Sequence, residues 1–403
     1  MGKPAADADF SIEIVSEGAV KLKVPRMEDY LRPDGVYEPA WAPVFYNPRM
    51  GFNRDVAVVV AAAYKKYAGL DELHVVEPLA GSGVRAVRYA VEAGAEVFAN
   101  DIDARAARLI AENARLNGVE GRVHVYNLDA NEFMYALLRQ RSRVDVVDID
   151  PFGSPAPFVD AAIVLAGRSR GVVAATATDV APLSGTYPRA LRRRYGVDPA
   201  RMLWDKEQAV RILSGYIIRR AAAYGYRAEV LLGYYADHYV RVYFRLEPGA
   251  KRADEALNQL AYGVSCGGCG YVGFSATKPT RCPYCQSPLT YVGPLYRGPL
   301  CDREFVKLAA EHAAKLKDRL QEGARVVKLL SLVEEECTIT RPYYRVDKVC
   351  SILKVNMPSP ARVAEALNSL GYRSARTHFD TRGVKTEAPH PLFIKTLLEI
   401  SPG

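Results

Sequence analysis

No run of apolar residues in this 403-residue chain reaches the roughly 20 needed to cross a bilayer as a helix, which excludes a helical membrane-spanning protein. Met1 to Phe10 lacks the basic-then-apolar pattern of a secretory signal, so a cytoplasmic protein is expected, with no membrane partner. There is no internal repeat and no low-complexity tract. Charge imbalance is small: the net charge is +8 and the pI about 9.0, which fits a polyanion partner without requiring one. Disorder is excluded by a hydrophobic content of 49% and by 25 tyrosines. The length exceeds what one small core needs and predicts at least two domains. Cysteine is scarce, yet four of the seven sit in two closely spaced CxxC pairs. In a cytosolic chain that arrangement points to metal rather than disulfides.

The first fifty residues mix short strand-like runs, such as Val20 to Val24, with Pro and Gly. The stretch Ala42-Pro43-Val44-Phe45-Tyr46-Asn47-Pro48-Arg49 is too proline-rich for a helix interior. A helix over Arg54 to Lys66 is expected next, with Asn53 as its cap. A doubly wound α/β pattern follows. Strands are predicted at Leu73–Glu77, Glu96–Asn100, Val123–Tyr126, Val144–Ile149 and Gly171–Thr176. The first turn and helix occupy Gly81 to Ala93, and the next helix Arg105 to Asn117. The near-continuous apolar character of Val144 to Ile149 is that of a central parallel strand, and the alternation of strands with helices predicts a sheet covered on both faces. Two strand-like runs around Asp237-His238, between Ala228 and Leu246, predict an antiparallel hairpin. Glu247-Pro248-Gly249 reads as a turn and a domain boundary, and Phe305 to Gln321 as a helix.

Glu77-Pro78-Leu79-Ala80-Gly81-Ser82-Gly83 follows a strand and opens a helix, where Gly81 and Gly83 permit a tight turn and close approach of backbone to a ligand. Gly-x-Gly alone is weak, but three acids strengthen it. Asp101 ends the following strand, where a carboxylate accepts ribose hydroxyl protons. Asp129 follows the third strand, where an adenine amino group would lie. With Glu77 they form a series at three successive strand ends, the edge at which open α/β sheets bind ligands. Taken singly, each acid reads equally well as a helix N-cap or a solvated strand end. Position 86 is Ala where a dinucleotide-binding turn prefers a third glycine, so a ligand without a pyrophosphate, such as S-adenosylmethionine, fits better.

After the strand at Val144–Ile149 comes Asp150-Pro151-Phe152-Gly153-Ser154-Pro155. An exocyclic amine on a nucleobase is a poor nucleophile, because its lone pair is delocalised into the ring. A carboxylate hydrogen-bonded to the amine concentrates density on nitrogen and takes up the proton. Proline has no N–H, so a nearby carbonyl is free to accept a second hydrogen bond. An aromatic ring can stack on the base. Asp150, a main-chain carbonyl and Phe152 supply these parts. The bland alternative is a strand end with a Pro-Gly turn.

Asp-Pro-Phe-Gly-Ser-Pro, the upstream Val-Phe-Tyr-Asn-Pro-Arg-Met with Asn53-Arg54-Asp55, and Tyr234-Tyr235-Ala236-Asp237-His238-Tyr239 resemble the tRNA (guanine-26 N2)-dimethyltransferases, in their archaeal form. The resemblance runs from about residue 18 to near the C-terminus. It implies an α/β class I (Rossmann-like) methyltransferase domain followed by a smaller α+β C-terminal domain. It implies Arg54, Arg85, Asp101, Asp129 and Ala130 as cofactor-binding residues, Asp150 as the catalytic acid, and Phe45 and Phe152 flanking the target base. Arg54 and Arg85 would meet the cofactor's carboxylate. From the residues alone Arg85 reads equally as a surface helix position, and Phe45 as core. The number of methyls, one or two, stays open.

Cys266, Cys269, Cys282 and Cys285 have the spacing of a structural zinc site, because four thiolates leave no open coordination position. Cys301, Cys337 and Cys350 read as ordinary buried cysteines. Arg192-Arg193-Arg194 and Lys315 to Arg319 are candidate phosphate contacts, or equally solvated helix faces. His238, in an alternating strand away from the acids, reads as structural. The division expected is a methyltransferase domain over 1–250 and a tRNA-binding domain over 251–403, with zinc within 266–285. The chain is expected to be a monomer acting on tRNA and not on DNA. Two rivals remain: an amino methyltransferase acting on adenine in DNA or another RNA, and a zinc-ribbon RNA-binding protein without a cofactor.

Overall fold

A computed structural model describes residues 10 to 401, so all but the last residue of the segment Met1–Phe10 lies outside it. Contacts group the described residues into two compact units, one formed by residues up to 150 with 164–171 and 308–328, and the other by 151–163, 172–307 and the residues from 329 onward. No helix among the described residues is long and apolar enough to cross a membrane.

The first unit begins with an antiparallel hairpin, β1 (Ile12–Glu17) and β2 (Val20–Pro25). Helix α1 (Gly51–Tyr67) starts earlier than the sequence suggests. Asn47 opens a short turn, Pro48–Met50, by accepting from Arg49 N, and the chain runs straight from it into the helix. Asn53 is therefore inside the first turn and does not cap. There follow β3 (His74–Glu77), α2 (Val84–Glu92), β4 (Glu96–Asn100), α3 (Ala104–Leu116), β5 (Val123–Tyr126), α4 (Ala130–Arg139) and β6 (Val146–Ile149). The four strands are parallel, in the order β5-β4-β3-β6. Every residue of β6 is buried, as expected for a strand covered on both faces. Order reverses between β3 and β6, which makes the gap between their carboxyl ends a topological switch point.

The chain passes between the units within α5 (Val159–Arg168) and returns to the second with β7 (Val172–Ala177). Next come α6 (Val180–Leu183), α7 (Pro188–Tyr195), α8 (Asp205–Ala223), β8 (Tyr226–Ala236) and β9 (Tyr239–Pro248). Strand β9 pairs antiparallel with both β7 and β8. The hairpin turns at Asp237, φ 47°, with His238 exposed in the turn rather than in a strand. Helix α9 (Ala250–Leu257) leads to a small sheet, β11 (Val272–Ser275), β10 (Leu260–Cys266) and β12 (Leu289–Tyr296), in that order. Helices α10 (Arg303–Leu316), shorter than expected, and α11 (Gly323–Glu336) again run between units. The last part holds β13 (Tyr344–Arg345), α12 (Val346–Leu353), α13 (Pro360–Ser369), β14 (Ser374–Arg376), β15 (Gly383–Thr386) and α14 (His390–Ile400), with a sheet order β13-β15-β14. Ser359 caps α13 and Pro360 occupies its first position. A buried pair, Arg211–Glu207, holds this second unit together: the guanidinium also donates to the carbonyls of Tyr296, Gly298 and Thr340.

Candidate active site

Strand order brings the predicted acids together because each closes a parallel strand at the same edge. Glu77 ends β3, Asp101 follows β4, Asp129 follows β5 and Asp150 follows β6. Asn100, a residue with no motif to mark it in the sequence, ties three of these ends. Its amide donates to the carbonyls of Pro78 and Leu128, both at 3.0 Å, and its oxygen accepts from Leu128 N.

The glycine turn is built as expected. Gly81 and Gly83 have φ of 55° and 75°, in the left-handed region where a side chain is strained. A Cβ at Gly81 would stand 3.1 Å from the Phe45 carbonyl oxygen, which itself accepts from Ser82 N. Phe45 is thus half-buried against the turn. The carboxylate of Asp101 accepts from Gly81 N at 2.9 Å and from Asp103 N at 3.0 Å, and burial pushes it above its ordinary value. Asp129 caps α4 by accepting from Asn131 and Glu132, so the cap reading of that acid holds as well, and Ala130 begins the helix, buried.

Arg85 does not lie on the surface. Its side chain is 3% exposed and faces three acids. It donates to Asp150, lies 3.5 Å from Glu77 and 3.5 Å from Asp148, and donates to Asn53 Oδ1 at 2.9 Å. Tyr89 donates to Asp148 at 2.5 Å. Burial, then the proximity of Asp148 and Asp150, pushes Glu77 well above the usual carboxylate range, against the opposing pull of Arg85. Asn53 Nδ2 and Glu77 Oε2 in this group, and Ser82 Oγ in the glycine turn, are buried with no hydrogen-bond partner among the described residues. Unpaired polar atoms clustered at a strand edge are what a polar ligand would satisfy. Arg54 is buried in a bidentate pair with Glu17, both contacts 2.6 Å, and also donates to the Asn47 carbonyl. Glu17 lies in the distant hairpin, so the local sequence around Arg54 carries no signal of this pair.

Phe152 belongs to the second unit and is 69% exposed. Its loop is fixed by Gly153 N donating to Thr178 Oγ1 at 2.8 Å.

The four predicted metal ligands converge, with sulfurs all within 4.8 Å. Cys266 ends β10 with Cys269 in the next turn, and Cys282 and Cys285 lie between β11 and β12. The Cys266–Cys285 and Cys269–Cys282 sulfurs are 3.4 and 3.6 Å apart. Tetrahedral zinc with bonds of about 2.3 Å requires sulfurs about 3.8 Å apart, so the cluster fits such an ion. Cys301 and Cys337 are not free: they form a disulfide with Cα atoms 5.6 Å apart, because the chain before α10 meets the end of α11. Cys350 is buried and free, as expected.

Comparison with known proteins follows the same lines. The family described as N2,N2-dimethylguanosine tRNA methyltransferase matches residues 18–398. A tRNA (guanine(26)-N(2))-dimethyltransferase of Aeropyrum pernix is 41% identical over 389 residues, covering 94% of both chains. The enzyme of that name from Saccharolobus solfataricus is 37% identical over 392 residues, 96% of this chain and 99% of the relative. Among solved structures, Trm1 from Pyrococcus horikoshii in complex with S-adenosyl-L-methionine has a TM-score of 0.82 at 34% identity, covering 96% of this chain and 99% of that one.

Proposed function

The chain belongs to the N2,N2-dimethylguanosine tRNA methyltransferase family, and on that premise we propose that it transfers one or two methyl groups from S-adenosylmethionine to the exocyclic N2 of a guanosine in tRNA, at position 26. The observation that carries the assignment of roles is the placement of Asp150 at the switch point, gripped by Arg85 beside the glycine turn.

Bound S-adenosylmethionine supplies an electrophilic sulfonium methyl carbon. The chain's residues do the rest. Asp150 accepts a hydrogen bond from the guanine amine, which localises the nitrogen lone pair. With the donor bound, Asp150 would take the proton that the amine loses on methylation and pass it to solvent. Phe152 stacks on the base, and Phe45 at the turn is assigned to the base as well. Gly81 and Gly83 bring backbone close to the donor, and Asp101, Asp129 and Ala130 hold its nucleoside. Arg54, Arg85 and Glu77 line its charged end. The orphaned polar atoms around Glu77 fit a ligand with hydrogen-bonding groups at that end. Much of the acceleration would come from residues that hold the amine in position to meet the donor. Residues 251–403 are assigned to tRNA binding, stabilised by zinc on the four cysteines. The reading further takes the enzyme as a cytoplasmic monomer that leaves DNA unmodified.

The test is methyl transfer from labelled donor to two tRNA transcripts, one with guanosine and one with adenosine at position 26, by the native chain and by Asp150→Ala. Label on the first transcript alone, lost in the variant, is expected. Equal label on both moves the target, and label surviving Asp150→Ala removes that residue's role.

A further inference from the structure

Helix α7 carries Arg189, Arg192, Arg193 and Arg194 in eight residues and no acid. Cations in a last turn are favoured by the helix dipole, which accounts for the final three but not for Arg189. Arg189 stands four residues before Arg193, a spacing at which like charges repel. Both are exposed, with no acidic partner among the described residues. Arg192 is 68% exposed and 3.6 Å from Asp198, a carboxylate already committed to Lys278 at 2.7 Å. The cationic face therefore continues from α7 to the segment between β11 and the second cysteine pair, where Lys278 lies. Tyr187, just before the helix, is 60% exposed.

This face is fastened to the loop that bears Phe152. Tyr195, the buried last residue of α7, donates to Asp179 at 2.8 Å and lies 2.8 Å from the Ser154 hydroxyl. Arg194 donates to the other Asp179 oxygen at 2.9 Å. Thr178 and Gly153 exchange two hydrogen bonds, of 2.8 and 2.9 Å. A short relay thus holds the Phe152 loop in fixed relation to a row of four guanidinium groups, of which Arg189 and Arg193 have no acidic partner among the described residues.

We propose that α7, with Tyr187 and Lys278, seats the sugar–phosphate backbone of the RNA next to the nucleotide that stacks on Phe152. The proposal rests on the methyltransferase reading above. Guanidinium forks match phosphate oxygens in pairs, and an exposed tyrosine beside them stacks on a neighbouring base. Arg192 exchanges its weak pairing with Asp198 for a phosphate, while Arg194 stays on Asp179 as part of the relay.

The experiment measures tRNA binding by the full chain over a range of salt, for the native protein, for Arg189→Ala/Arg192→Ala/Arg193→Ala, and for a control losing the same charge outside the segment assigned to tRNA binding, Arg115→Ala/Arg122→Ala/Arg139→Ala. All six positions are exposed. The α7 variant should weaken tRNA affinity by at least about tenfold and flatten the salt dependence by about 0.7 to 0.9 in log–log slope for each phosphate that no longer meets a guanidinium. S-adenosylmethionine affinity and melting temperature should stay at native values, and the control should keep the native slope. An unchanged slope in the α7 variant, or an equal loss in the control, overturns the proposal. A native chain that binds no tRNA overturns the methyltransferase reading itself, and this surface with it.

Discussion

Arg85 and Asp150 are joined by an ion pair from Nη2 to Oδ2, within a group in which one guanidinium faces three carboxylates. An arginine expected to address only the methyl donor therefore also orients the group proposed to take the amine proton. The pairing limits the rotation of the Asp150 side chain. On the proposed reading two functions share one side chain, which has consequences for kinetics.

Asp150→Ala is expected to lower the methyl-transfer rate by about 10²- to 10⁴-fold, the usual worth of a positioned proton acceptor. Arg85→Gln should lower kcat by about 10²-fold and also weaken donor binding. If Arg85 acts through Asp150, the double variant transfers methyl no more slowly than Asp150→Ala alone at saturating donor. Additive losses in single-turnover rates would separate the two residues.

Glu77 gives a pH signature. Its carboxyl is held above its ordinary value of 4.5 in the folded state, chiefly by burial. The folded chain thus binds a proton more readily than the unfolded one. This contribution to stability is complete below about pH 4.5 and declines as pH rises through the folded value, by at most about 1.4 kcal/mol per pH unit. Glu77→Gln removes the decline. Urea midpoints of the two proteins measured from pH 5 to 9 should diverge with rising pH, the variant becoming the more stable. Parallel curves would place the titration elsewhere.

The four cysteines should hold roughly one zinc ion per chain, since together they complete one tetrahedral site. Cys269→Ser or Cys282→Ser is expected to lose the ion and to lower the melting temperature. A strong chelator should do the same to the native chain at a slower rate. Metal analysis of the purified protein checks the stoichiometry, and full zinc content in both variants would exclude these ligands.

The Cys301–Cys337 disulfide closes a loop with a separation of 36 residues. Chain-entropy arguments put its worth at about 3–4 kcal/mol for a loop of that length. Cys337→Ser should lower unfolding stability by that amount without changing donor affinity. Thiol titration of the metal-free, unfolded and unreduced chain should find five free groups. Seven would mean that the bond is not formed.

Much of the first unit is legible in local pattern. Strands at Glu96–Asn100 and Val123–Tyr126 coincide with the expected runs, and the Gly81–Gly83 turn has the positive φ angles its sequence implies. Burial on both faces leaves an apolar run, and only glycine tolerates those angles, so both features are written within a few residues. Other parts are not written locally. Asn53 resembles a helix cap, but Asn47 had already opened the turn, and the amide of Asn53 serves Arg85 instead. Cys301 and Cys337 carry no spacing signature, because a disulfide requires only that two distant segments meet.

By itself the sequence determined the alternation of strand and helix, the acids that close the strands, the Asp-Pro-Phe-Gly loop and a four-cysteine set with metal spacing. Each depends on a periodicity or a short motif, and short-range sterics and ligand geometry decide those. Only the tertiary structure decided which acids surround Arg85, that Glu17 in a remote hairpin takes Arg54, and that α7 is fastened to the Phe152 loop through Tyr195. Those pairings follow from strand order and from which helix packs beside which turn. A side chain 65 positions away becomes a neighbour through that order alone, as Asp150 does for Arg85.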